Sequence, residues 1–174
     1  MYPSIQLKEY DAAVVSALKE KFNWLEKVES YPDFESGIPT PSAFFSIKSW
    51  EKNEDQRMNG QLSVILSCEV LAILGHDYES QQLEVRNQAM AISLFLESNQ
   101  FGLEIEPSVF ISAEPDAFDP DLDAYAAWSI RFNQIINVGN DFFAPEGETP
   151  RGVNVGYSPD IGADNEDKYE NLIP

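Results

Sequence analysis

One cysteine, Cys68, and one histidine, His76, are all that 174 residues offer of the two most versatile catalytic side chains. A lone cysteine excludes an internal disulfide framework, and a lone histidine excludes any multi-histidine metal site. Basic residues are also scarce: 11 Lys and Arg stand against 30 Asp and Glu, for a formal charge of −19. A chain so poor in cations does not coat nucleic acid, because phosphate binding needs clustered Lys and Arg. The same deficit argues against docking on an anionic membrane surface. No run of 18 apolar residues occurs, and the opening Met1-Tyr2-Pro3 does not read as a signal peptide. The expectation is a soluble acidic protein assembled in the cytoplasm. Glycine-rich phosphate loops of either common spacing are missing as well.

The few residues with catalytic potential have simpler readings. A nucleophile needs a base within hydrogen-bond reach, and His76 would have to serve every proton transfer alone. Cys68 alternates with apolar neighbours and reads as a small buried hydrophobe. His76 follows Gly75 at a strand-to-helix turn and reads as part of that turn. Asp119-Pro120-Asp121-Leu122-Asp123 copies the first three ligand positions of a calcium loop. That pattern also needs glycine at position six and glutamate at position twelve. Ala124 and Ile130 stand there instead, so the match fails and a solvated acidic loop is the expectation. Asp160, Asp164, Glu166 and Asp167 read the same way. No catalytic, cofactor-binding or metal-binding residue is assigned, and no enzyme is expected.

What is present is core material: 43% of residues are apolar and 12% aromatic. Leu7, Tyr10, Val14, Leu18 and Leu25 recur at helical spacing, predicting a helix over Ser4–Leu25 with Ser4 as its N-cap. Prolines 32, 39 and 41 then mark a connector. Period-two alternation predicts a strand over Ala43–Lys52. A second follows in which Leu62, Val64, Leu66, Cys68 and Val70 face one way and Ser63, Ser67 and Glu69 the other. Strands so close in sequence predict an antiparallel hairpin. A second helix, capped by Ser80 and ending near Asn99, carries a stripe of Leu83, Met90 and Leu94 flanked by Val85, Ala89, Ile92 and Leu96. Val109 and Ile111 belong to a third strand, interrupted by Pro115 and Pro120. Trp128, Ile130, Phe132, Ile136 and Val138 form a fourth. The fold class is α+β: a mostly antiparallel sheet with two helices packed on it, plus an extended C-terminal arm.

The domain ends at residue 138, and residues 139–174 form the arm. It is rich in Pro and Gly without a helical stripe, yet it holds Phe142, Phe143, Val153, Tyr157, Ile161 and Tyr169. A solvated tail has no need of so many apolar anchors, so something holds it: its own domain or a neighbour. Extended, this stretch spans roughly 110–130 Å, at ~3.3–3.6 Å per residue. A domain of this size has a radius of gyration of about 14 Å. The arm is long enough to leave its subunit. Phe142, Phe143, Tyr157, Ile161 and Tyr169 are therefore candidate inter-subunit contacts, with strand or arm addition to a neighbour's sheet edge as one way of binding.

Charge is distributed unevenly. Between Arg86 and Arg131 no basic residue occurs, while Glu97, Glu104, Glu106, Glu114, Asp116, Asp119, Asp121 and Asp123 all fall there. Glu114, Asp116, Asp119, Asp121 and Asp123 are candidates for an acidic lumen or a surface for a basic partner. A solubility-promoting surface is the simpler reading of the same residues.

Taken together, the order of elements over residues 4–138 resembles the tail terminator, or tail completion, proteins of long-tailed bacteriophages. The phrase Val153-Asn154-Val155-Gly156-Tyr157-Ser158-Pro159-Asp160-Ile161-Gly162 resembles endings of terminator-like proteins from contractile tails. The resemblance implies a homo-oligomer, a hexameric ring at the head-proximal end of the tail. Such a ring stops tail tube polymerisation, contacts sheath and neck or connector proteins, and lets genomic DNA pass without specific binding. It implies a virion location and no membrane, no cofactor and no catalytic residue. Two alternatives stay open: another neck or baseplate component, or a small acidic binding module that neutralises a basic partner.

Overall fold

A computed structural model describes residues 3–31, 38–75, 80–116, 125–143 and 154–171. The chain divides into two compact units, 1–142 and 143–174. The first is built on a five-stranded sheet in the order β1-β2-β3-β5-β4. Its strands are β1 (Lys27–Ser30), β2 (Ser42–Lys52), β3 (Leu62–Leu74), β4 (Val109–Pro115) and β5 (Ala126–Val138). All neighbouring pairs are antiparallel except β1 with β2. Two helices, α1 (Leu7–Lys21) and α2 (Gln81–Leu96), pack on the sheet, as the α+β reading expects.

The core follows from the period of each element. Tyr10, Val14 and Leu18 recur every fourth residue on α1 and are buried. They belong to one buried cluster with Val64, Leu66, Cys68 and Val70 of β3 and Ile130, Phe132 and Ile136 of β5. Aromatic rings fill the middle: Tyr10 lies edge-on to Phe45 at 6.0 Å and to Phe101 at 6.1 Å. On the other sheet face a buried apolar cluster lies at one end, where Phe44, Leu71, Ile73 and Ala127 pack with Ile38 and Tyr125. There the Ile38 amide donates to the Tyr125 hydroxyl at 3.2 Å. Farther along, that face mixes polar side chains with the cross-strand pair Ile65 and Ile135 and the exposed Ile111.

Several local expectations are corrected. Helix α1 starts at Leu7, not Ser4, and Gln6 occupies the cap without a side-chain bond. Ser4 instead bridges to Asn137, and the Ile5 amide donates to the Asn137 carbonyl at 2.9 Å. Burial of Ile5 draws this segment onto the sheet before the helix can begin. The helix also ends before Leu25, at Phe22. Strand β1 was missed because four residues are too few to show a period; pairing with β2 alone defines it. Ser80 does precede α2, but in a left-handed conformation with no side-chain cap. Its carbonyl accepts the Leu83 and Glu84 amides instead. Leu62, expected in the core, is exposed, while Ser63 and Glu69 on the opposite face are buried. Pro115 closes β4 rather than interrupting it.

The largest correction concerns which side of α2 is buried. Leu83, Met90 and Leu94 are 57%, 63% and 72% exposed, whereas Val85, Ala89, Ile92 and Leu96 face the sheet. At ~100° per residue the two sets are centred on nearly opposite sides of the helix. The smaller, partly β-branched set fits close against the sheet, so the longer side chains turn outward.

The second unit pairs two short strands, β6 (Asn154–Val155) and β7 (Glu170–Asn171), around a 3₁₀ segment, Ala163–Lys168. Within the described residues it is a small local fold rather than a uniformly extended arm.

Candidate functional site

Four places in the described residues collect side chains of interest. The first is the open sheet face. Glu69 of β3 is buried, and three groups reach its carboxylate. The Ser129 hydroxyl donates at 2.6 Å, Lys48 Nζ lies at 2.7 Å and Arg131 Nε at 3.6 Å. Position 48 falls at a break in the β2–β3 register, between Ile47 and Ser49. That irregularity lets Lys48 lean across to β3. Arg131 also pairs with Glu114 at 2.9 Å. Burial pushes the Glu69 carboxyl up, but Lys48, Ser129 and Arg131 together outweigh it and hold the group below its ordinary value. Each cation here already faces a carboxylate, so the cluster ties strands together.

The second place is a groove of about 690 Å³ between α2 and the edge strand β4. Its lining is almost wholly apolar, with Met90, Leu94, Phe110, Ala113 and Trp128 prominent and Arg86 and Glu97 at its rims. Arg86 lies over the Trp128 ring, 5.2 Å from its centroid. The Glu97 carboxylate accepts the Phe110 amide at 2.8 Å.

The third lies at the other edge of the sheet. β1 covers only the first residues of β2, so the outer half of β2 forms the margin there. Trp50, 60% exposed, and Tyr31, 61% exposed, flank a small pocket with Leu7, Lys8, Asp11 and Ile47. The Tyr31 hydroxyl accepts the Ile47 amide at 3.1 Å, which fixes the ring. Asp11 accepts the Ser30 hydroxyl at 2.6 Å through one carboxylate oxygen.

The fourth is the set of residues expected to contact neighbours. Phe142 is held in its own unit: its amide donates to the Asn59 carbonyl at 2.8 Å and its ring covers Gly60. Tyr169 is half-buried in the second unit, where its ring packs on Gly156 and its hydroxyl accepts the Gly162 amide at 2.7 Å. Phe143, Tyr157 and Ile161 are exposed. Among the acidic candidates, Glu114 faces Arg131, and Asp116 follows the end of β4. Asp119, Asp121 and Asp123 lie outside the described residues, as does His76.

Cys68 is buried, and its sulfur lies 3.8 Å from the Tyr10 hydroxyl. Burial pushes the thiol up to about 12, against a smaller lowering by the Tyr10 hydrogen bond. Among the described residues, no group of three His, Cys, Asp or Glu is placed to hold a metal ion. No helix there is long and apolar enough to cross a membrane. Sequence reasoning missed the groove and the Trp50 patch. The signal for the groove was visible as a second apolar stripe on α2, but it was assigned to the core.

Comparison with known protein families gives no match along the chain, and comparison with characterised proteins gives no relative.

Proposed function

We propose that this chain is a structural assembly protein of a bacteriophage tail, acting as a terminator ring at the head-proximal end. One observation carries the reading: large apolar side chains are exposed in two separate patches, at opposite edges of one sheet, in a chain of charge −19. Contiguous exposed apolar surface marks an interaction site. Two different patches are what a closed ring of identical subunits needs, because each subunit meets its two neighbours through different surfaces. The second unit adds exposed Phe143, Tyr157 and Ile161 for contacts with tube, sheath or neck proteins.

In this reading no reaction is catalysed and no cofactor is used. The acidic run between Arg86 and Arg131 serves the passage of DNA by repelling phosphate. Purified protein added to isolated tail tubes is expected to cap one end only, seen by negative-stain microscopy. Tubes left bare at both ends, or coated along their length, contradict the proposal.

A second reading has its own observation. Eight acidic and no basic residues between positions 87 and 130 also fit a module that neutralises a basic partner. Such a module would bind that partner as a monomer, with affinity falling steeply as salt rises.

A further inference from the structure

We infer that the pocket between α1 and the outer half of β2 binds a guanidinium group on an alkyl stem, as arginine carries it. The inference goes beyond the ring reading and concerns a single subunit.

Two aromatic side chains are set there by departures from regular structure. Tyr31 has φ +48°, a left-handed backbone that strains a bulky residue. It is held at both ends: its amide donates to the Phe45 carbonyl at 3.1 Å, and its hydroxyl accepts the Ile47 amide at 3.1 Å. Trp50 owes its place to the break in β2. Ile47 pairs with Cys68, so an unbroken register would set Ser49 opposite Leu66 and turn Trp50 to the other face of the sheet. The extra residue sets Trp50 opposite Leu66 instead. Leu66 belongs to the buried cluster that includes Tyr10, Val14 and Leu18 of α1, so Trp50 stands on the helix side. Re-aiming a side chain in this way is what a bulge does. Both rings stay exposed, so core packing does not account for either placement.

The remaining wall comes from α1, with Leu7, Lys8 and Asp11. One Asp11 oxygen accepts the Ser30 hydroxyl, while the other, Oδ1, is buried without a hydrogen-bond partner. A buried carboxylate oxygen left in that state favours any donor brought to it. The broad χ2 well of aspartate lets the carboxylate turn toward a donor in the pocket, and the Ser30 hydroxyl can rotate with it. Lys8 lines the same pocket but does not bond to that oxygen, and its exposed side chain can extend into water.

The chemistry of the occupant follows. Tryptophan and tyrosine faces attract cations, and a carboxylate beside them adds charge and an acceptor. An acceptor in need of a proton selects a cation with N–H groups over a quaternary ammonium. Apolar walls from Leu7 and Ile47 favour guanidinium over ammonium, because guanidinium is planar, stacks on rings and is more weakly hydrated. At about 220 Å³ the pocket is smaller than the roughly 300–1,000 Å³ clefts that hold whole ligands, and it suits one side chain or head group.

The test uses the full chain and saturation-transfer NMR, with N-acetyl-arginine amide as probe and its neutral isostere N-acetyl-citrulline amide as control. The arginine probe is expected to bind at millimolar concentration, and the citrulline probe about tenfold more weakly or worse. Asp11→Asn and Trp50→Leu should each weaken arginine binding about fivefold or more. Lys8→Met removes a competing cation and should strengthen it. Ethylguanidinium and an arginine flanked by glycines in a short peptide separate two sources of the same group. Tighter binding of the peptide assigns a partner's side chain, and equal binding assigns a free guanidinium compound. Equal binding of arginine and citrulline overturns the inference, as does silence from every probe. So does parental binding by both the Asp11 and Trp50 variants, or weaker binding by Lys8→Met, which would make the pocket an anion site. Circular dichroism checks folding, and Trp50→Phe, expected to weaken binding less, replaces Trp50→Leu should that variant unfold.

Discussion

The Ser129 hydroxyl on β5 donates a 2.6 Å hydrogen bond to the carboxylate of Glu69 on β3, across the centre of the sheet. Lys48 joins that carboxylate from β2, so one acid links three adjacent strands. Its pKa lies below the ordinary value in the folded state because Lys48, Ser129 and Arg131 outweigh the cost of burial. The stabilisation is therefore full above the unfolded carboxyl pKa of about 4.3 and is lost as pH falls through the folded value. Glu69→Gln is expected to cost about 1–3 kcal/mol at pH 7. Urea unfolding at pH 7 and again near pH 3 should show that cost shrinking. An equal loss at both pH values would mean that the carboxylate charge contributes nothing.

The orientation of α2 makes a second prediction. Ile92 is fully buried and Leu94, two residues on, is exposed. Ile92→Ala should cost about 2–5 kcal/mol through lost burial and a cavity. Leu94→Ala should stay within about 0.5 kcal/mol in a single subunit. Denaturant titration at concentrations low enough to keep subunits apart decides it, and the reverse order would turn the helix over.

That helix also shows how far the sequence could be read. Alternation along Val64–Val70 and Trp128–Phe132 gave the right strands and the right face, because a period of two leaves only two choices. Helix α2 offers two apolar stripes, and period alone does not say which meets the sheet. Val85 and Ile92 win through their fit against β3 and β5, which exists only once the strands are assembled. β1 failed for a related reason, since its four residues become a strand only beside β2. The Trp50 patch was hidden differently: the alternation of β2 does not reveal that β1 stops short of its outer half. Glu69 was placed opposite the apolar face of its strand, but its burial was not legible, because it depends on Lys48 and Arg131 from two other strands.

Gly60 is held at φ +92°, and a Cβ there would lie 2.3 Å from a ring carbon of Phe142. Gly60→Ala is expected to destabilise by about 1–3 kcal/mol through backbone strain and the clash together. Adding Phe142→Ala removes the clash but not the strain, so the double variant should recover only part of the loss. Thermal unfolding of the three chains measures this, and full recovery would leave no cost at the backbone.

Cys68 should be inert in the folded protein. With its pKa pushed up to about 12, roughly one thiol in ten thousand is ionised at pH 8, and the side chain is buried. Labelling by an aromatic disulfide reagent is expected only at the rate of unfolding, becoming complete within minutes in urea. Rapid labelling of native protein would contradict the packing around Tyr10.

The account stands on self-assembly through two unlike surfaces, and the mass of the native particle tests that most directly. Native mass spectrometry of the full chain should show a closed set of six copies of the 19.6 kDa subunit, with no ladder of longer species. A spectrum holding only the single chain, at every concentration and salt tried, would contradict it.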